Sequence, residues 1–231
     1  MKKNEILRKL MDAVNDNFEP YEFKPSNKKQ GFIKKSDTTI FVYQFLIYDR
    51  TVIRTGAKGF LIEPYAWVNI LEIEKYYKEI TLNTVIKEDL DFITIGNSIA
   101  NLIANPDGFY SSRNNSLDQH VFKEEDIHIV AQNVFKLFKE VALPYFLNNS
   151  TIQMVDRLIN SKPHEYKVHM QNDNFRILKG LIAAKLNENP RLEELIETYD
   201  KQIIDRDMYN AKEEMERLKS ILPLIGTNMK V

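Results

Sequence analysis

One run, residues 39–48 (TIFVYQFLIY), limits the fold of this chain more than any other segment. It is dense in β-branched and aromatic residues, which predicts a strand. Side chains of a strand point alternately to its two faces, and both faces of this run are apolar apart from Gln44. Such a strand is usually central in a sheet and covered on both sides. The alternative is that one of its faces meets another subunit or a partner.

The segments around this run predict one helix and further strands. Residues 3–17 carry apolar side chains at helical spacing, namely Ile6, Leu7, Leu10, Met11 and Val14. Residues 24–36 predict a hairpin or loop that leads into the central strand. Residues 60–73 predict the next strand, with a bulge or the strand end near Leu71 to Ile73. A last edge strand is expected at residues 120–122.

From Glu124 onward the apolar spacing becomes helical. Residues 127–141 follow the 3.6-residue period, behind acidic residues that favour a helix N-terminus. Pro144 is expected to kink or end this helix. Four further helices are predicted: one capped by Ser150 or Thr151, one capped by Asp173 or Asn174, one at 192–199 and one at 207–222.

These patterns together predict an α+β fold. We expect a mostly antiparallel sheet with an N-terminal helix, followed by a C-terminal helical region of four to five helices. Residues 1–148 would form the sheet domain, and residues 149–231 a helical region packed on it. The chain has 231 residues, which is enough for one large domain or two small ones.

Composition excludes several classes of function. The formal net charge is −1, so no global field holds a nucleic acid or an anionic membrane. The chain has no cysteine, which removes disulfides, thiolate nucleophiles and iron–sulfur clusters. The N-terminal residues lack a signal-peptide core, and no apolar run approaches the roughly 20 residues that span a bilayer. These features predict a cytoplasmic protein without a membrane segment.

The sequence predicts no catalytic, cofactor-binding or metal-binding residue. Glycine-rich phosphate loops are absent. His164 and His169 are five residues apart, which would place the rings about 140° apart on a helix instead of facing one metal. His120 with Asp118 resembles an acid–base pair without a nearby nucleophile. Paired carboxylates (Glu72 with Glu74, Asp89 with Asp91) are usually solvated, and only burial would distinguish them.

The basic segment 24–35 is the main argument for nucleic-acid binding. Its lysines are interleaved with Phe23 and Phe32, and aromatic stacking with phosphate contacts is how single strands are held. A hairpin edge protected by lysines explains the same residues. We therefore expect that nucleic acid is not the partner.

Four aromatic residues are the candidate partner-binding residues: Tyr43, Tyr48, Tyr65 and Trp67. On an exposed sheet face they would anchor a protein partner or a second copy of the chain. The sequence therefore predicts a non-enzymatic interaction module, such as an immunity-like or regulatory binder. The alternative is a hydrolase or transferase whose site is assembled from scattered histidines and carboxylates.

Three segments resemble the bacterial family catalogued as domain of unknown function 4304. They are a lysine-containing hairpin at 31–35, the strand run at 41–47, and an apolar-Pro-aromatic-Phe sequence at 142–147 that precedes a short second helix. The resemblance covers most of residues 1–200 and implies an α+β architecture. That family has no assigned activity. Some small bacterial α+β families act as immunity proteins, which is an analogy at the level of the fold.

Overall fold

An antiparallel sheet forms the N-terminal part of the chain in the computed structural model, which describes residues 1–52, 55–83, 92–109, 117, 119–170 and 172–227. Its strands within these residues are β1 (Lys24–Ser26), β2 (Gly31–Lys35), β3 (Thr39–Thr51), β4 (Lys58–Ile70), β5 (Ile95–Ser98) and β6 (His120–Val121). The order is β1-β2-β3-β4-β5, and β6 also pairs with β4. β3 and β4 pair along their whole length, from Thr39 opposite Ile70 to Thr51 opposite Lys58.

Helices precede, interrupt and follow the sheet. They are α1 (Lys3–Phe18), α2 (Leu71–Ile80), α3 (Ile99–Ala104), α4 (Asp126–Leu137), α5 (Leu143–Asn148), α6 (Ile152–Asn160), α7 (Asp173–Leu186), α8 (Leu192–Asp205) and α9 (Tyr209–Ile221). The predicted α+β class is confirmed, with its N-terminal helix, antiparallel sheet and C-terminal helical region. Four of these helices, α6 to α9, lie in residues 149–231.

Helices α1 and α4 cover one face of the sheet through a cluster of aromatic rings. Phe18 at the end of α1 stacks on Phe32 of β2, with centroids 4.0 Å apart. Phe138, just after α4, lies 4.5 Å from Phe18. The buried Tyr43 hydroxyl donates to the carbonyl oxygen of Val134 at 2.7 Å. Stacked rings of this kind stabilise a core beyond the area that they bury.

Helix α7 is the central helix of the C-terminal region. Every residue from Arg176 to Ala184 is buried, because α7 contacts α2, α6, α8 and α9. Gly180 allows α6 to approach closely, since a Cβ atom there would lie 2.8 Å from Cγ2 of Ile159. One buried cluster contains core residues of both the sheet and this region. The division at residue 148 remains a prediction.

Two elements differ from what the sequence patterns indicate. The segment after β4 is helix α2, whereas the sequence pattern predicts a strand up to residue 73 and no helix. The strand end near Leu71 was one of the two outcomes expected there. Pro144 does not stop the helical path: a π-helical turn at Phe138–Ala142 joins α4 to α5, and Pro144 lies in the first turn of α5. The helical path thus continues through Pro144 although proline supplies no N–H donor.

Candidate functional site

The structure separates the four candidate aromatic residues between the two faces of the sheet. Tyr43 is fully buried on the face that α1 and α4 cover, so we remove it from the partner-binding set as a correction. Trp67 pairs with Val42, and Tyr65 pairs with Gln44. Side chains of directly paired residues share a face, and therefore Trp67 and Tyr65 lie on the opposite face from Tyr43. Tyr43 lies between Val42 and Gln44 on β3, and its side chain points to the other face because successive side chains of a strand alternate.

Tyr48, Tyr65 and Trp67 form a surface that we call the aromatic face. The rings of Tyr65 and Trp67 stack with centroids 5.1 Å apart and planes 19° apart. Tyr48 is 42% exposed, whereas Tyr65 and Trp67 are half-buried. Val42, opposite Trp67, is buried. The aromatic face is thus open at the Tyr48 end and covered at the Val42 end.

Polar neighbours fix the two stacked rings. The indole Nε1 of Trp67 donates to Oε1 of Gln44 at 2.8 Å. The Tyr65 hydroxyl donates to Oε2 of Glu63 at 3.2 Å. Burial, followed by the hydrogen bond with Tyr48, raises the pKa of the Tyr65 hydroxyl, which therefore stays neutral at physiological pH. The bond to the indole explains why a polar residue, Gln44, stands in the middle of the apolar run.

Strand β5 reaches Trp67 because it carries a glycine at the point of contact. Gly96 pairs with Trp67 and has a φ of 148°, a backbone conformation that side chains with a Cβ atom rarely adopt. Its N–H donates to the carbonyl oxygen of His169 at 2.8 Å. Gly96 therefore joins the sheet edge to the segment that leads into α7.

A pocket of about 220 Å³ opens beside Trp67. We call it the aromatic pocket. Its lining residues are Tyr65, Trp67, Tyr77, Phe92, Ile93, Gly96, Asn97, His169, Met170, Asn172, Phe175 and Lys179. Two of the four candidate residues, Tyr65 and Trp67, belong to this lining. The rings of Tyr77, Phe92 and Phe175 are not among the predicted site residues; they come from α2, the segment before β5, and α7, respectively.

A buried ion pair with Glu74 anchors Lys179, which lines the aromatic pocket. The Lys179 ammonium lies 2.8 Å from Oε2 of Glu74 and donates to Oε1 at 2.9 Å and to the carbonyl oxygen of Ile93 at 2.7 Å. It also stands over the rings of Tyr77, at 4.5 Å, and Phe175, at 5.6 Å. Burial lowers the pKa of the Lys179 ammonium, and the Glu74 carboxylate opposes that shift.

Thr94 holds the carboxylate end of this pair. Its hydroxyl donates to Oε1 of Glu74 at 2.5 Å and accepts from the backbone N–H of Ile70 at 2.9 Å. Glu74 is therefore the carboxylate that burial distinguishes from its neighbour Glu72, which is exposed. The pair Asp89 and Asp91 lies outside the described residues.

His169 is a buried, neutral member of the pocket lining. Its Nδ1 lies 3.1 Å from the Tyr145 hydroxyl, and the two rings stack with centroids 5.6 Å apart. Burial, with a smaller contribution from Lys167, lowers the pKa of His169 to about 4. At neutral pH its imidazole is uncharged and bonded to a phenol.

The other histidines lie apart from the pocket lining. His120 is on β6, where its ring stacks on Phe122 at 5.7 Å, and Asp118 lies outside the described residues. His128 is exposed on α4, with its Nε2 at 3.1 Å from Gln132. His164 is in the turn after α6, next to Gln202. Among the described residues, no group of three potential metal ligands comes together.

The basic segment 24–35 does not expose the aromatic side chains that would stack on the bases of a single-stranded nucleic acid. Phe23 and Phe32 are both buried in the core, so neither ring can stack on a base. Lys34 forms an ion pair with Glu22 at 2.6 Å, which uses part of the positive charge within the protein. The interpretation of this segment as a lysine-protected sheet edge accounts for these contacts.

The polar side chains of the site hydrogen-bond one another or the backbone, and the lining of the pocket is largely aromatic and apolar. No helix in the described parts of the chain is long and apolar enough to cross a membrane.

The resemblance to domain of unknown function 4304 remains a prediction. Comparisons with protein-family models, with curated proteins and with solved structures gave no match to this chain.

Proposed function

We propose that this chain is a non-enzymatic protein-interaction module that binds a protein partner, or a second copy of itself, through the aromatic face. An immunity-like or regulatory binder is the kind of protein that this describes. One observation carries the proposal: the stacked Tyr65 and Trp67 are left half-buried beside the exposed Tyr48. Large aromatic side chains are enriched in protein interfaces and among the few residues that carry most of the binding energy there.

The rigidity of the face supports the same proposal. Gln44 and Glu63 hold the two stacked rings by hydrogen bonds, so little side-chain freedom would be lost when a partner binds. We also propose a cytoplasmic location, because a chain without cysteine is suited to a reducing compartment.

Site-specific photo-crosslinking in living cells tests the proposal. The photoreactive residue p-benzoylphenylalanine would replace Tyr48, and a second protein would carry it at Tyr166, which is 64% exposed in the turn before α7. We expect a discrete adduct from position 48 and none from position 166. An adduct of twice the 27.2 kDa chain mass identifies a homodimer, and another mass identifies a partner for mass spectrometry.

A substitution in the face separates a specific contact from chance labelling. Tyr65→Ser should remove most of the adduct at position 48, whereas Tyr166→Ser should leave it unchanged. Circular dichroism would establish that both proteins are folded. Equal labelling from positions 48 and 166, or an adduct that survives Tyr65→Ser, would refute the proposed face.

A hydrolase or transferase is the second candidate, and one observation favours it. His169 and Lys179, the cation of the buried pair with Glu74, line the same pocket, which is where a site assembled from distant residues would form. Hydrolysis of p-nitrophenyl esters above the buffer rate, and its loss in His169→Gln, would support this candidate. Equal rates in both proteins would remove it.

A further inference from the structure

The aromatic pocket has room for one substituted ring. Its volume is about 220 Å³, whereas an engineered cavity of about 150 Å³ lined by apolar side chains is enough to bind benzene. The surrounding walls carry the rings of Tyr65, Trp67, Tyr77, Phe92 and Phe175. Aromatic rings pack favourably against one another in offset or edge-to-face geometry, so a flat aromatic molecule matches this lining.

Most polar groups of the lining are already bonded within the protein. The indole N–H of Trp67 is used by Gln44, and Nδ1 of His169 is paired with the Tyr145 hydroxyl. The Lys179 ammonium contacts both oxygens of Glu74 and the carbonyl oxygen of Ile93. A charged ligand would therefore lose its hydration without gaining an equivalent partner, which costs several kcal/mol in general.

The charges of the wall disfavour cations and anions alike. Glu74 lies 2.8 Å from the Lys179 ammonium, so the pair is neutral as a whole and does not attract an anion. A cation would normally be drawn to ring faces. The faces of Tyr77 and Phe175 are already occupied by the Lys179 ammonium, so they are not available to a ligand cation.

The wall formed by Trp67 is held in place before a ligand arrives. Gln44 bonds the indole on one side, and the backbone of Gly96 lies against the ring on the other. The buried Thr94 hydroxyl holds the Glu74 carboxylate, which accepts a hydrogen bond from the Lys179 ammonium. Binding to a wall that is already ordered costs less conformational entropy than binding to a mobile one.

We propose that the aromatic pocket binds a small, neutral aromatic molecule of one ring with a compact uncharged substituent. This inference goes beyond the proposed protein interaction and does not rest on it. The two share Trp67 and Tyr65, yet the pocket is tested with a free small molecule and the face with a macromolecular adduct. Either proposal can fail while the other stands.

A matched series of three probes tests the inference. Benzamide, benzoate and benzamidinium have the same ring and nearly the same shape, but at neutral pH they are neutral, anionic and cationic. Trp67 is the only tryptophan of the chain, so a change of its fluorescence reports on the pocket wall directly. We expect a saturable change of fluorescence with benzamide. The dissociation constants of the two charged probes should be at least about tenfold higher than that of benzamide.

Two phenylalanine variants assign the signal to the pocket. Phe175→Ala removes a ring of the lining and should weaken benzamide binding at least about fivefold, by loss of ring contacts. Phe122→Ala changes an exposed ring outside the lining and should leave the affinity unchanged. Circular dichroism would verify the fold of both variants.

An NMR measurement on the unaltered chain keeps the test independent of how the variants fold. The methyl signal of Met170, in the lining, should shift with benzamide, while that of the exposed Met1 should not. Equal affinity for all three probes, unchanged Trp67 fluorescence up to the solubility of benzamide, or equal shifts at both methionines would overturn the proposal.

Discussion

Gly96 lies so close to Trp67 that a Cβ atom on the glycine would stand 2.6 Å from Cε3 of the indole. Real Cβ atoms do not approach other atoms this closely. The φ of 148° would also strain the backbone of any residue that carries a side chain there. The absence of a side chain at Gly96 is therefore a condition for the position of Trp67, and through it for the aromatic pocket.

The first prediction concerns this contact. Gly96→Ala should displace the indole and shift the fluorescence maximum of Trp67, and it should lower the free energy of unfolding by about 2–4 kcal/mol through strain and steric overlap. Gly56→Ala is the control, since Gly56 also has a positive φ, 71°, but nothing within 4 Å of its Cβ position. It should cost about 1 kcal/mol and leave the fluorescence unchanged. The same Trp67 fluorescence spectrum from Gly96→Ala and Gly56→Ala would contradict the close contact between Gly96 and Trp67.

The second prediction concerns the buried ion pair. Lys179→Met leaves the Glu74 carboxylate buried without its partner and should lower the free energy of unfolding in urea by about 3–5 kcal/mol. The double variant Glu74→Leu with Lys179→Met should recover most of that loss, because no uncompensated charge remains.

An exposed ion pair provides the comparison. Arg217 and Glu213 are 2.7 Å apart on α9, and both side chains are largely exposed. Arg217→Met should cost less than about 1 kcal/mol. If Lys179→Met costs no more than Arg217→Met, the pair does not act as a buried unit.

The third prediction concerns pH. The pKa of His169 is lowered to about 4 in the folded protein, against about 6.5 in an unfolded chain. Between these values the unfolded state binds the additional proton, so stability falls as the pH falls from about 6.5 to 4. Over this window the contribution of His169 is about 3 kcal/mol.

Urea unfolding at pH 7 and pH 4.5 would measure this contribution. His169→Gln removes the titrating group, and we expect its stability to depend less steeply on pH than that of the unaltered chain. His128→Gln changes an exposed histidine and should keep the original slope. Parallel curves for all three proteins would show that His169 is not the group responsible.

The fourth prediction separates Tyr43 from the aromatic face. Tyr43→Phe removes the hydroxyl that donates to the Val134 carbonyl and should cost about 1 kcal/mol of stability. It should not change the adduct formed from position 48, because Tyr43 lies on the opposite side of the sheet. Loss of that adduct at unchanged stability would place Tyr43 in the interface after all.

Strong periodicity made much of the fold predictable. The two-sided apolar run became β3, and the helical stripe after Glu124 became α4. The stripe of α2 was also present: Ile73, Tyr76, Tyr77 and Ile80 are buried at helical spacing. It was missed because the helix begins at Leu71, directly after β4, and its N-cap residue is Ile70 instead of a polar residue that would mark the boundary.

The pocket could be predicted only in part. Tyr65 and Trp67 are conspicuous as an aromatic pair two residues apart, whereas Phe92 and Phe175 belong to elements that only the tertiary fold brings together. The sequence does contain one indication that Lys179 is buried. It lies within a stretch of α7 that is apolar on every side, and a lysine in such a position needs a buried partner.

The ion pair also sets an order of events during synthesis. Glu74 and Lys179 are 105 residues apart in the chain, and ribosomes add about 5–20 residues per second. Glu74 therefore precedes its partner by on the order of 5–20 seconds. Burial of that side of α2 before α7 has emerged would leave the carboxylate without its partner, which is costly. We expect the ring-lined cavity to be among the last parts of the molecule to close.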